Sequence, residues 1–283
     1  MKTYGLLGKN ISYSLSPDMH NAAFRALGLD SEYKLFDIPE EKFENFFGSL
    51  KTGDVAGCNI TIPYKEKAFR FIDKYDDLAG DIEAINTVAL KSGNLCGYNT
   101  DCQGFIESLT GKNEGDLNFS PEGKDVFMFG AGGAAKAIIY ALVGLGTKKI
   151  AITDIDIGKA ENLAGSIVEK QHGDTLLTVV QDEKQFSEFI SKADLVINAT
   201  PSGVKKTDEP LFDYRYMHEK LHVFDLVYAR DTALIKEART LNAKAINGLN
   251  MLLYQAAAAF GIWTGRKAPI EVMKKAMLER IRG

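Results

Sequence analysis

The stretch from Asp125 to Asp154 limits what this 283-residue chain can fold into more than any other part of it. It runs Asp-Val-Phe-Met-Phe, then Gly130-Ala131-Gly132-Gly133-Ala134-Ala135-Lys136, an apolar helical run to Gly146, and Lys-Lys-Ile-Ala-Ile-Thr-Asp154. That is the pattern of a strand, a glycine-rich turn, a helix and a second strand closed by a carboxylate. Gly130, Gly132 and Ala135 fit the G-x-G-x-x-G/A spacing: the first glycine makes the tight turn, the second lets a pyrophosphate reach the backbone, and the third small residue lets helix pack on strand. The helix start offers free N–H groups to phosphates. Glycine-rich turns also serve as plain connections, but Asp154 falls 24 residues after Gly130, near the spacing of about 20 at which a carboxylate meets the adenosine ribose. The segment reads as a dinucleotide-binding unit.

The length leaves room for two domains of about 150 residues. With 45% hydrophobic and 25% charged residues, the chain can bury a core. A formal charge of −4 gives no basic footprint, which excludes nucleic acid as the main partner and favours small molecules. Met1 to Gly8 lacks the long apolar core of a signal peptide and reads as a first strand. A run of about 18 uncharged apolar residues is absent, so no membrane span is expected. Cys58, Cys96 and Cys102 are odd in number and form no C-x-x-C pair, which points to a reduced, cytoplasmic protein. Of His20, His172, His218 and His222, only the last two stand at i, i+4, without the intervening Glu of a zinc helix. They read as surface residues, and no metal is expected.

Residues 1 to about 100 alternate strand-like and helix-like segments. Strands are predicted at Tyr4–Leu7, Tyr33–Ile38 and Val55–Ile62, with helices at Pro17–Leu27 and Pro39–Leu50. Ile85–Leu90 and Leu95–Tyr98 flank Ser-Gly-Asn as a hairpin. The fold class is therefore α/β, with a mainly parallel sheet and an antiparallel edge in the amino-terminal part. The polar segment Gly111–Gly123 separates this part from the glycine-rich unit. Lys159–Lys170, Thr232–Leu241, Asn250–Phe260 and Pro269–Arg282 read as helices, and Leu195–Ala199 and Val223–Val227 as strands.

Ser12-Tyr-Ser14-Leu-Ser16-Pro17 places three hydroxyls before a helix. Local grammar favours plain capping, with Ser16 as N-cap and Pro17 as the first helical residue. The alternative is a carboxylate site at a positive helix end. In Asn59-Ile-Thr61-Ile-Pro63-Tyr-Lys65, polar side chains spaced by two share a face at a strand end, where a lone lysine is ordinarily a solvated one. Asn86-Thr87 and Asn99-Thr-Asp101 repeat the pattern, Asp101 doubling as a candidate N-cap. In open α/β sheets ligands sit outside the carboxyl ends of strands, and those ends are where Ser14, Asn59, Thr61, Lys65, Asn86 and Asp101 accumulate. Gln255 is a lone amide in an apolar helix that needs a partner, backbone or substrate hydroxyl. Phe43, Phe46, Phe47, Tyr4 and Tyr33 read as ordinary core residues.

Together these stretches resemble the shikimate dehydrogenase family, including its quinate/shikimate dehydrogenase branch, over essentially the whole chain. The resemblance rests on Ser14-Leu-Ser16-Pro17, Asn59 through Lys65, Ala84-Ile-Asn86-Thr87, Gly97 through Asp101, Gly130 through Ala134, Asn198-Ala-Thr200-Pro-Ser-Gly203, Asp225-Leu-Val-Tyr228, and Gly248-Leu-Asn-Met251 through Gln255. It implies a substrate-binding domain at 1–110, completed by helices at about 250–283, and a Rossmann-type domain at 111–249. It implies interconversion of 3-dehydroshikimate and shikimate by hydride transfer, with quinate as a further substrate to test. Lys65 and Asp101 would form the acid/base pair, and Ser14 and Ser16 would bind the substrate carboxylate. Thr61, Asn86, Tyr228 and Gln255, with Asn59, would hold ring substituents. On the cofactor side it implies Gly130, Ala131, Gly132, Gly133, Ala134, Thr200, Leu226, Gly248 and Met251, with Asp77 nearby.

One departure matters. NADP-using members of the family commonly carry Asn-Arg-Thr at the end of the second Rossmann strand, where arginine meets the 2′-phosphate. This chain has Asp154-Ile155-Asp156 there, with Lys159 the only cation close in sequence. A carboxylate accepts hydrogen bonds from a ribose 2′-OH and repels a 2′-phosphate. NAD is therefore expected to be preferred, with NADP as the alternative cofactor. A monomer or homodimer is expected, and a non-catalytic sensor on the same fold is the competing reading.

Overall fold

The computed structural model describes residues 1–52, 55–170 and 174–282, so His172 lies outside the described residues. Two compact units divide the chain: Met1–Gly104 with Leu253–Gly283, and Phe105–Leu252.

The first unit begins β1 (Lys2–Gly8), α1 (Ser16–Ala26), β2 (Ser31–Asp37), α2 (Phe43–Ser49), β3 (Val55–Ile60), α3 (Lys65–Phe69), β4 (Lys74–Tyr75) and α4 (Asp77–Ile82). It continues with β5 (Thr87–Lys91), β6 (Asn94–Tyr98) and the start of α5 (Asp101–Thr110). Its six-stranded sheet has the order β2-β1-β3-β5-β6-β4. β2, β1 and β3 are parallel, and β5 enters antiparallel. β5 and β6 are also antiparallel and are joined by the turn Ser92-Gly93, where both residues have positive φ (49° and 77°). Left-handed backbone at both central positions matches the twist of an antiparallel pair, and β5 returns as β6 with Lys91 opposite Asn94.

The second unit contains β7 (Asp125–Phe129), α6 (Gly133–Gly144), β8 (Lys149–Thr153), α7 (Ile157–Lys170), β9 (Leu176–Val179), α8 (Phe186–Ile190), β10 (Leu195–Asn198), β11 (His222–Asp225), α9 (Ala233–Thr240) and β12 (Lys244–Asn247). Then α10 (Leu249–Thr264) leads to α11 (Ile270–Arg282) in the first unit. The sheet order is β12-β11-β10-β7-β8-β9, with every pairing parallel. Strand order reverses between β7 and β10, which is the doubly wound arrangement with its ligand crevice at the switch point. The central strands are buried along their length, as a parallel sheet covered on both faces requires.

Three local expectations are corrected. The segment predicted as one helix over Pro39–Leu50 is a short 3-10 turn at Glu40–Lys42 followed by α2, because Pro39 is extended (ψ 158°). Ser16 is the first residue of α1 and makes no capping bond among the described residues; the N-cap position is Leu15. His222 is half-buried on β11 against Phe119, not a surface residue. Among the described residues no helix is long and apolar enough to cross a membrane.

An aromatic group packs in the first unit: Tyr4, His20, Phe24, Tyr33, Phe260 and Trp263. His20 is fully buried, stacked on Tyr33 at 4.4 Å, and among the described residues neither ring nitrogen finds a partner. Burial pulls its pKa down to about 3. The folded ring stays neutral, whereas the unfolded one takes up a proton below pH about 6.5. Stability from this group is thus full above that value and is lost as the pH falls from 6.5 towards 3. Replacing His20 by Phe removes a buried polar ring of similar shape. Between pH about 7.5 and 5, the parent is expected to lose about 2 kcal/mol more of unfolding free energy than His20→Phe. Urea denaturation at the two pH values measures this, and equal losses would refute it.

Candidate active site

In the first unit Asn59, Asp101 and Gln255, with Lys65 through Asp101, meet at Asn86, just before β5. Its backbone N–H donates to Tyr98 O (3.1 Å) and its carbonyl accepts from Ile60 N (2.7 Å), so its position is tied to β6 and β3. Its Oδ1 accepts from Thr100 N at 2.8 Å, and since that N–H can only donate, the amide orientation is fixed. Nδ2 then faces Asp101 Oδ1 at 2.8 Å, and Gln255 Oε1 on α10 at 3.4 Å. The other Asp101 oxygen accepts from Lys65 Nζ at 2.5 Å. Lys65 opens α3, and its carbonyl accepts from Ile85 N at 3.1 Å, which pins the helix start beside Asn86. The Lys65 and Asp101 side chains are only 14% and 7% exposed, so little water screens the pair.

Asp101 was an N-cap candidate; instead it is the first residue of α5, and its carboxylate serves Lys65 and Asn86. The structure also brings in Asn59, whose Nδ2 donates to Asn86 O (3.2 Å) and Thr87 Oγ1 (3.0 Å). Ser14 and Ser16 are buried at the amino end of α1, with Ser14 Oγ accepting from Ser16 N at 3.2 Å. Thr61 is half-buried just past β3, its N–H bonded to Leu7 O. What this assembly can do chemically is present an ammonium, one carboxylate, hydroxyls and oriented amides to a small polar molecule.

In the second unit the glycine-rich turn lies at the switch point. Gly130 has φ +103°, and a Cβ there would stand 2.8 Å from Ala199 O, so only glycine lets the loops after β7 and β10 approach. Gly132 is the N-cap of α6 without a side-chain cap bond, the first turn carries no acid, and a Cβ at Gly132 would enter open space. Free helix N–H groups behind an unobstructed glycine fit a pyrophosphate. Asp154, after β8, accepts from Ala131 N (2.8 Å) on Oδ2 and from Asp156 N (2.9 Å) on Oδ1. Each oxygen keeps a lone pair for a ribose hydroxyl. The donor set therefore fits a dinucleotide.

Past β10 and β11 a second polar group holds the rim, which sequence reasoning left without roles. Buried Asp225 accepts from Asn198 Nδ2 (2.9 Å), Val227 N (3.0 Å) and Thr232 Oγ1 (2.5 Å). Burial raises its pKa, and those three hydrogen bonds oppose the rise. Asn198 Oδ1 in turn accepts from Thr200 N and Oγ1. Gly248 lies directly against the Leu226 carbonyl, and Met251 is buried on α10. Tyr228 is half-buried on the second unit, and Asp77 is exposed in the first turn of α4 on the first.

A doubly wound sheet with a glycine turn open to a pyrophosphate, and an α/β unit carrying a shielded lysine–aspartate pair, define the class of nicotinamide-dependent oxidoreductases. Residues 6–88 match the family model described as the shikimate dehydrogenase substrate binding domain, and residues 248–278 that of the shikimate 5′-dehydrogenase C-terminal domain. Shikimate dehydrogenase (NADP(+)) of Methanopyrus kandleri is 39% identical, over 98% of this chain and 95% of that protein. The quinate dehydrogenase of Corynebacterium glutamicum, solved with NAD, superposes with a TM-score of 0.88 at 30% identity, covering 98% and 99% of the two chains. The shikimate 5-dehydrogenase of Listeria monocytogenes, solved with shikimate and NAD, gives 0.86 at 31%, covering 97% and 96%. The chain belongs to the shikimate dehydrogenase family.

The two glycines separate binding from folding. Gly132→Val should keep the fold, at a cost of about 1 kcal/mol at the cap, while weakening NAD(H) binding at least about tenfold by blocking the helix end. Nicotinamide fluorescence titration alongside a melting curve reads both. Unchanged affinity would remove the glycine turn from the binding site.

Proposed function

We propose that this chain interconverts 3-dehydroshikimate and shikimate, prefers NAD to NADP, and accepts quinate as a second substrate. The observation that carries the chemistry is the Lys65–Asp101 pair, anchored on Asn86. When bound, the nicotinamide supplies or accepts the hydride. Reduction of a ring ketone leaves an alkoxide that needs a positioned proton donor. The ammonium has three hydrogens; one is held by Asp101 and two remain for substrate. Lys65 and Asp101 act as a pair, the carboxylate orienting the ammonium and stabilising its charge in a poorly screened site. Ser14 and Ser16 receive the substrate carboxylate at the amino end of α1, where the helix dipole assists. Asn59, Thr61, Asn86 and Gln255 hold ring substituents, and Tyr228 and Asp77 keep the roles that the family resemblance implies.

The cofactor preference rests on residues 154–156. The curated relatives carry NADP(+) in their names. In this chain, however, Ile155 is wholly exposed between two carboxylates, and Lys159 lies 3.9 Å from Asp156, which offsets its charge. A 2′-phosphate would meet two carboxylates and a compromised lysine, whereas a ribose hydroxyl finds the free lone pairs of Asp154. The Corynebacterium quinate dehydrogenase bound to NAD supports testing quinate.

Steady-state kinetics with shikimate and quinate, each with NAD and NADP, tests the proposal. Shikimate with NAD is expected to give the highest kcat/KM, and Ile155→Arg should shift the NADP/NAD ratio towards NADP by about tenfold or more. A parent enzyme that favours NADP would contradict the cofactor reading, and absence of shikimate oxidation with either cofactor would contradict the activity.

A further inference from the structure

Tyr33, on β2, is 3% exposed and has His20 stacked on its ring. Its residue type and burial make it an ordinary core aromatic. A buried phenol nonetheless needs a partner for its O–H, and this one lies 2.7 Å from Asn59 Oδ1. The direction of that bond is set two atoms away. Asn59 Nδ2 faces the carbonyl of Asn86, which can only accept, so the amide nitrogen must point there and the amide oxygen towards Tyr33. Tyr33 is therefore the donor. Its own oxygen is left to accept.

The valences of Asn59 can then be followed. One hydrogen of Nδ2 goes to Asn86 O and the other to Thr87 Oγ1, which passes its own hydrogen to Asn86 Oδ1 at 3.0 Å. One lone pair of Oδ1 takes the Tyr33 proton, and the second remains. Asn59 can thus offer an incoming molecule an acceptor only, suited to a ring hydroxyl and not to a carboxylate. The phenol proton stays in place at working pH, because burial, with Cys58 adding, pushes the Tyr33 pKa well above its ordinary value against the smaller effect of Ser16. The phenol hydroxyl therefore holds the amide beside the Asn86 group.

We propose that Tyr33 is a positioning residue for the substrate: without touching it, the phenol hydroxyl sets the direction in which Asn59 meets one ring hydroxyl of the substrate. This rests on the reading that Asn59 binds substrate. Tyr33→Phe keeps the ring that stacks on His20 and removes only the hydroxyl. It leaves a buried acceptor short of its donor, a loss expected to raise the KM for shikimate about tenfold, with the KM for cofactor unchanged and kcat altered far less.

The test is a double-mutant cycle of Tyr33→Phe and Asn59→Ala, read as KM and kcat for both reactants beside a melting curve; Asn59→Ser replaces the alanine variant if that one does not fold. Tyr33→Phe should add little once Asn59 is gone, because the two act on one valence. If Asn59→Ala raises the KM for shikimate but Tyr33→Phe does not, or if the two effects add in full, the positioning role is wrong while the site reading stands. If Tyr33→Phe moves both KM values together with the melting temperature, the hydroxyl is structural and the inference falls. If neither variant moves the KM for shikimate, the assignment of Asn59 to the substrate site fails, and this inference with it.

Discussion

Asn86 uses its backbone and its side chain to join pieces of the first unit that are distant in sequence. Its backbone ties β5 to β3 and β6, its Oδ1 is locked by the Thr100 N–H, and its Nδ2 is turned on Asp101 as a result. Asp101 then places the Lys65 ammonium. A buried ion pair is costly to build, because both charges leave water, and it is tolerated only where further hydrogen bonds complete its valences. Asn86 supplies one to Asp101, and the two ammonium hydrogens that Asp101 does not take are the ones the proposed reaction offers to substrate.

The same logic appears in the second unit with different members. There Asp225 is the buried acceptor that gathers Asn198, Val227 and Thr232, so the segments leaving β10 and β11 are held against each other. The glycines contribute the opposite property, empty space. Gly130 allows backbone to approach backbone, and Gly132 leaves the start of α6 clear. One unit thus positions polar side chains around a shielded ion pair, and the other leaves a helix end clear. The end of β8 carries Asp154, Asp156 and an exposed Ile155, the residues on which the proposed cofactor preference rests.

Much of this was legible from sequence, for identifiable reasons. Central strands such as β7, β8 and β10 are continuous apolar runs, followed by glycines after β7 and by polar residues at the ends of β8 and β10, so both the strands and the candidate site at their carboxyl ends stand out. Two sheet-edge strands, β9 and β12, escaped because edges are half-exposed and lose the apolar signature. Ser16 and Asp101 sit where capping rules expect a cap, but Ser16 is already the first residue of α1, and the Asp101 carboxylate serves Lys65 and Asn86. Tyr33 and Asp225 were missed for one reason, that a buried polar atom declares its role only through its partners. Those partners, Asn59 for Tyr33, and Asn198 and Thr232 for Asp225, are many residues away or carried on other elements.

The proposed function requires that the Lys65–Asp101 pair move the proton rather than merely hold the substrate. Lys65→Met preserves most of the side-chain volume and removes the ammonium. Calorimetric titration with shikimate, paired with kcat at saturating substrate, separates the two roles. The account predicts a dissociation constant within a few-fold of the parent's and a kcat lower by about 10²–10⁴-fold, the usual contribution of a positioned acid or base. A kcat close to the parent's, with binding weakened by two orders of magnitude or more, would contradict it.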